Sequence, residues 1–184
     1  MFLTSSFLVN NMKEIMIILI LLCSCTNTDS TPFVRDLSPQ TAFVKEIIDG
    51  DTYIVDINGS EKHIRVLGID YPDVSDDKID NFLDLDISKK RIIFCYDDGK
   101  KELIKLLVNK SVTLKADIAA PDRDVYNRLL RYVSVNGTDI GLLLLNNGYA
   151  RFLNDNEIQC SRCLRYSQFY NKAKDSKNGC LWNN

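Results

Sequence analysis

The chain has one histidine, His63, and no second Cys-x-x-Cys beside Cys160-Ser-Arg-Cys163. A zinc centre built of cysteine and histidine therefore lacks half of its ordinary ligand set, and the pair reads at most as half a site. No βαβ alternation surrounds it, so a thioredoxin-like redox pair is also a poor fit. No apolar run approaches the ~20 residues that cross a bilayer. Basic excess is missing too: 23 Lys and Arg stand against 25 Asp and Glu, giving a net charge of −2 and a pI near 5.4. This excludes a protein that coats nucleic acid with its whole surface. A phosphate-bearing partner has to be met by a local group of Arg and Lys, or through a metal. No internal repeat is present.

The longest apolar run lies near the N-terminus. Met12-Lys13-Glu14 precedes Ile15 to Leu22, then Cys23-Ser24-Cys25 and a polar stretch. This fits the h-region of a secretory signal, with Met12 as an alternative start to Met1. A small residue before a cysteine at this place resembles a bacterial lipoprotein signal. Residues 1–25 then form the leader, Cys25 is lipidated and Cys23, behind bulky Leu22, is the poorer candidate. An ordinary cleaved signal without a lipid is the other reading. Residues 26–41, rich in Thr, Ser, Asp and Pro, read as a flexible tether. The expected product is exported, held at the cell surface or in the periplasm by a lipid, or secreted. Cys95, Cys160, Cys163 and Cys180 then remain, and they allow three disulfide pairings among which the sequence does not choose.

Residues 42–184 read as one domain. Phe43–Ile48, Thr52–Ile57 and Lys62–Leu67 are strands joined by the turn signals Asp49-Gly50 and Asn58-Gly59, which makes a β-meander. In the third strand His63, Arg65 and Leu67 share one face. Residues 73–97 read as a long acidic connection. Leu103, Leu106 and Leu107 predict a helix over 98–108, capped by Asp97 or Asp98. Ser111–Ala116 and Leu129–Val135 are further strands. Ile140–Asn147 is a short helix behind Thr138 or Asp139, stopped by Gly148, and Cys160–Asp175 is a third helix. Gly179-Cys180-Leu181-Trp182 docks the chain end. Five strands, about three helices and no βαβ order give an α+β domain, a closed barrel of OB type.

Chemistry concentrates in two acidic turns, Asp49-Gly50-Asp51-Thr52 and Asp70-Tyr71-Pro72-Asp73. A meander can bring Asp51 and Asp70 together as part of an oxygen shell for a hard cation, calcium or magnesium. The plainer reading makes both aspartates turn residues. Arg65 favours the first reading, because a guanidinium flanked by Ile64 and Val66 is costly unless it is paired or used. Arg128 stands where a polar loop enters an apolar strand. Two forked donors and a cation suit a phosphodiester under attack. Asp73, with Asp76 and Asp77 as rivals, is the nearest general base.

In order, the chain reads Asp49-Gly50-Asp51-Thr52, Arg65, Gly68-Ile69-Asp70-Tyr71-Pro72-Asp73, Asp124-Val125-Tyr126-Asn127-Arg128-Leu129, Tyr132-Val133, Gly148-Tyr149-Ala150 and Leu181-Trp182. That series, over residues 42–182, resembles the staphylococcal nuclease (thermonuclease) family. The resemblance implies an OB-fold barrel and a calcium-dependent phosphodiesterase acting on DNA and RNA; the domain is expected to be a monomer. It makes Asp51, Asp70 and the Tyr71 carbonyl the calcium ligands. Arg65 and Arg128 bind the scissile phosphate, Asp73 stands where the family has a glutamate that handles the attacking water, and Tyr126 lies near the nucleotide. Asp73 is one methylene short, about 1.5 Å of reach. Tyr71 replaces a small residue, and Asn127 stands where Gly is common, a position that Asn tolerates at positive φ. The short acid leaves a second expectation open: an inactive module of the same fold that binds nucleic acid or a protein.

Overall fold

The structure, a computed structural model, describes residues 35–74, 79–83, 85–153 and 159–183. The chain divides into Met1–Arg35 and Asp36–Asn184, and the second unit carries the fold. The leader, Cys23, Cys25 and most of the tether lie outside the described residues, as do Asp76 and Asp77. No helix among the described residues is long and apolar enough to cross a membrane.

Strands β1 (Gln40–Ile47), β2 (Thr52–Ile57) and β3 (Ser60–Val66) form the expected antiparallel meander. The turn between β2 and β3 holds Asn58 and Gly59 at φ of 53° and 79°. That left-handed pair matches the twist of a two-residue hairpin, which is why Asn-Gly marks it. β1 begins at Gln40, inside the stretch read as tether. Strands β5 (Ser111–Lys115) and β6 (Leu129–Val135) continue the sheet, and β6 pairs in parallel with β3, which closes the barrel. Closure leaves no open edge between these strands. Two short strands, β4 (Ile69–Asp70) and β8 (Arg151–Phe152), pair antiparallel beside the barrel, and β7 (Thr138–Asp139) extends β6.

The helices are α1 (Asp80–Leu83), α2 (Lys89–Leu107), α3 (Ile140–Asn146) and α4 (Cys163–Asp175). The expected start of α2 at residue 98 is wrong by nine residues. Ser88, not Asp97 or Asp98, caps it by accepting from the Arg91 N–H. The stretch 73–97 is accordingly not one long loop. The buried stripe of α2 is Ile92, Cys95, Gly99, Leu103 and Leu107. Two of its five members are Cys and Gly, so the apolar period fades over the first half of the helix. Gly99 is small for a reason: a Cβ there would run into the Tyr71 hydroxyl and the Tyr149 ring. Asp98 accepts a bond from the Tyr149 hydroxyl at 2.7 Å instead of capping.

The barrel interior holds Val44, Tyr53, Val55, Ile64, Val66, Leu114, Leu129 and Val133, joined by Leu103 and Leu107 of α2. A second cluster packs Phe82, Ile92 and Cys95 against Ala173, Leu181 and Trp182. It docks the chain end as expected, with the Leu181 N–H donating to the Gly148 carbonyl at 2.8 Å. Disulfides join Cys95 to Cys180 and Cys160 to Cys163. The second removes the Cys-x-x-Cys thiols from any zinc reading.

Candidate active site

Arg65 sits in the middle of the barrel wall, opposite Thr52 of β2 and Leu130 of β6. Its inward neighbours Ile64 and Val66 are buried, so the pleat turns Arg65 to the outer face. There its side chain is 13% exposed and pairs with two carboxylates: Nη1 with Asp51, and Nη2 with Asp70 at 3.4 Å. Burial lowers the Arg65 pKa and Asp70 opposes the shift. A guanidinium nonetheless stays charged at neutral pH.

Asp51 is 5% exposed. Its Oδ2 accepts the Tyr71 N–H at 2.7 Å and its Oδ1 the Thr52 hydroxyl at 3.0 Å. The turn ahead of it is held on both sides: Asp49 accepts from the Asp51 N–H at 2.9 Å, and the Tyr53 hydroxyl donates to the Gly50 carbonyl at 2.8 Å. Burial pushes the Asp49 carboxyl up, against the pull of Arg65 and Arg128. The Tyr71 ring lies directly against Gly50, where a Cβ would overlap it. Its hydroxyl donates to the Tyr96 carbonyl at 2.7 Å, which ties the second acidic turn to α2. Tyr71 is thus an anchor as well as a backbone element of the turn.

Asp70 lies opposite Arg151 in the β4–β8 pair, and Arg151 Nε donates to Asp70 Oδ2 at 2.7 Å. Arg128 is set by its own loop. Asp124 Oδ1 accepts the Tyr126 and Arg128 N–H groups at 3.0 and 2.9 Å, and Oδ2 pairs with Arg128 Nε at 2.6 Å. Asn127 takes the left-handed conformation at φ 65°. Arg128 Nη1 then reaches Thr52 Oγ1 at 3.1 Å, which links the loop to the Asp51 turn. Arg65, Asp124, Tyr126 and Arg128 line one cleft of about 320 Å³. Tyr126 stands at its rim, 78% exposed, with the Arg128 guanidinium 5.4 Å from its ring.

Asp51, Asp70, Arg65 and Arg128 therefore meet through direct contacts or through Thr52. Asp73, half-buried and engaged in an interaction of its own, does not join Asp51 and Asp70 in a three-acid metal cluster among the described residues. The donor set fits a hard cation in part. Two carboxylates converge on one positive group, and carbonyl, water and phosphate oxygens have to complete the shell. The sequence reading gave no role to Thr52, Asp49, Asp124 or Arg151. Asp124 had a local signal, an acid four residues before an arginine in a turn. Arg151 had none, because its partner lies 81 residues away.

A family model described as "Staphylococcal nuclease homologue" matches residues 63–184. The chain belongs to this family. A thermonuclease of Staphylococcus intermedius is 28% identical over 138 residues, covering 73% of each chain. A thermonuclease of Staphylococcus hyicus is 30% identical over 129 residues, covering 67% of this chain and 68% of its own. A Methanocaldococcus jannaschii protein, MJ1439, is 30% identical over 166 residues, covering 83% of this chain and 76% of its own. The family match opens inside β3, so the Asp51 turn precedes it. The barrel pairing of Thr52 with Arg65 carries that turn into the staphylococcal nuclease-like domain.

Proposed function

We propose that the chain is a calcium-dependent nuclease that hydrolyses phosphodiester bonds of DNA, RNA or both. The observation that carries this reading is the meeting of Arg65 and Arg128 in one cleft, each backed by a carboxylate, with Asp51 and Asp70 against Arg65. Planar forked donors hold two phosphate oxygens each. Attack at phosphorus gathers charge on the non-bridging oxygens, and donors fixed beforehand stabilise that charge without reorganising. Arg65 and Arg128 are the catalytic arginines in this scheme. A calcium ion held by Asp51, Asp70 and the Tyr71 carbonyl would supply further positive charge and acidify water. Asp73 orients or deprotonates the attacking water. Tyr126 offers its exposed face to the adjoining base.

Relatives named thermonuclease support the nuclease class. Calcium comes from the family resemblance and from the oxygen-only donor set. Digestion of plasmid and of RNA with calcium, and again with a chelator, tests the reading: calcium-dependent cleavage is expected, and its absence with well-folded protein refutes it. A second reading, an inactive binding module, draws on two observations. Asp73 is short, and both Asp70 oxygens already face arginines. It predicts oligonucleotide binding without cleavage.

The same proposal includes export as a monomer, with Cys25 lipidated and the membrane touched only through that lipid. Two disulfides in 184 residues suit an oxidising compartment. Mass spectrometry of the mature N-terminus decides between a lipidated Cys25 and simple cleavage.

A further inference from the structure

Beside the candidate site lies a second open cleft, lined by Glu61, Lys62, His63, Arg123, Tyr126 and Arg128. Arg123, Tyr126 and Arg128 line both clefts, so the two form one continuous track. His63 shares the outer face of β3 with Arg65. Two residues along a strand advance about 6.7 Å, comparable to one nucleotide step of an extended single strand.

The charge of this track departs from that of the chain, whose net charge is −2. Lys62, Arg123 and Arg128 are its cations, and the acids around them are already engaged. Glu61 faces Lys45 at 3.5 Å, Asp124 holds Arg128 at 2.6 Å, and Asp122 pairs with Arg131 at 2.8 Å, with Arg123 at 4.0 Å. Lys62 and His63 make no ion pair among the described residues. Arg123 Nη1 donates to the Asn127 carbonyl at 2.7 Å, which keeps its guanidinium beside the Tyr126–Arg128 loop. Between the clefts stands the exposed ring of Tyr126, a stacking platform that only an unstacked base can use.

We infer that Lys62, His63 and Arg123 form a second phosphate subsite, which takes the phosphate next to the scissile one in a single-stranded polynucleotide. This rests on the nuclease reading for its place on the substrate. The local cations also answer how an acidic chain holds a polyanion: through a short track rather than a basic surface.

The test compares wild type with the Lys62→Ser/His63→Ser double variant, both checked for unchanged melting. The substrates are a single-stranded DNA 12-mer and a nitrophenyl phosphodiester of one nucleoside, which is too short to reach the second cleft. The ratio of kcat/KM values, 12-mer over minimal ester, is expected to fall at least tenfold. In chelator, the slope of log Kd against log salt for a labelled 12-mer should flatten by about 0.7 for one lost phosphate contact. Duplex of the same sequence should compete less well than single strand. Unchanged ratio and slope, with wild type cleaving the 12-mer, overturn the subsite and leave the nuclease reading standing. Equal competition by duplex overturns the single-strand assignment. If wild type cleaves neither substrate but the variant binds the 12-mer tenfold more weakly, the nuclease reading fails and the subsite stands. A wild type that neither cleaves nor binds overturns both.

Discussion

Replacing Asp124 with Asn isolates what fixes Arg128. The amide oxygen can still accept the Tyr126 and Arg128 backbone N–H groups, so the turn and the left-handed Asn127 survive. The other oxygen becomes an NH₂ group facing the Arg128 Nε–H, and the 2.6 Å ion pair is lost. A hydrogen bond to a charged group contributes about 1.5–3 kcal/mol. Arg128 is 26% exposed and Asp124 8% exposed, so water recovers part of that value. A stability loss of ~1–2 kcal/mol follows. The larger effect falls on function, because the guanidinium is no longer held toward Thr52 and the cleft. Turnover on a single-stranded oligonucleotide should drop about tenfold to a hundredfold, equivalent to ~1.4–2.8 kcal/mol of barrier. Arg128→Ala should cost at least as much. Because both substitutions act through one guanidinium, the double variant should lie within about twofold of Arg128→Ala alone. Steady-state kinetics of the four proteins, with thermal melting as the fold check, provides the measurement. If Asp124→Asn leaves turnover intact, or lowers Arg128→Ala by a further tenfold, the assignment of Asp124 as the positioning residue is refuted.

Asp73→Glu restores the longer acid and should preserve or raise turnover; a tenfold fall in kcat would mean that the local backbone is fitted to Asp. Gly50→Ala forces a Cβ into the Tyr71 ring, so denaturant titration should find about 1–3 kcal/mol of lost stability, and an unchanged midpoint would contradict that packing. The disulfide between Cys95 and Cys180 spans 85 residues, and Cys95→Ser/Cys180→Ser should destabilise the domain by about 2–5 kcal/mol; a smaller change in chemical denaturation counts against the docked chain end as a stabilising element. Asp117 is buried, which by itself raises its pKa, but bonds from the Tyr132 hydroxyl, the Ala119 N–H and Ser161 lower it below the ordinary 3.8. Its contribution is present above that value and lost as pH falls below it, so the stability gap between wild type and Asp117→Asn should shrink as pH falls below 3.8, and a gap constant with pH would exclude the linkage.

Local chemistry made much of this protein readable from its residues. Strands β2 and β6 end where their apolar positions and the Asn58-Gly59 and Asn136-Gly137 turns set them, because those turns need positive φ values that Asn and Gly adopt cheaply. The first half of α2 was not readable, since its contact face uses Cys95 and Gly99, shaped by Tyr71 and Tyr149 from other parts of the chain. The site divides in the same way. Residue types and order point to Asp51, Arg65, Asp70 and Arg128 as one set, and the fold brings the four together through direct contacts or through Thr52. Only tertiary structure set Arg151 opposite Asp70, chose Cys95–Cys180 and Cys160–Cys163 among three pairings, and closed the barrel through parallel pairing of β3 with β6. Each of the first two depends on which distant segments pack together, and closure depends on strand register across the whole sheet. The sequence therefore determined which groups are candidates for the chemistry, and the closed barrel decided what each one faces.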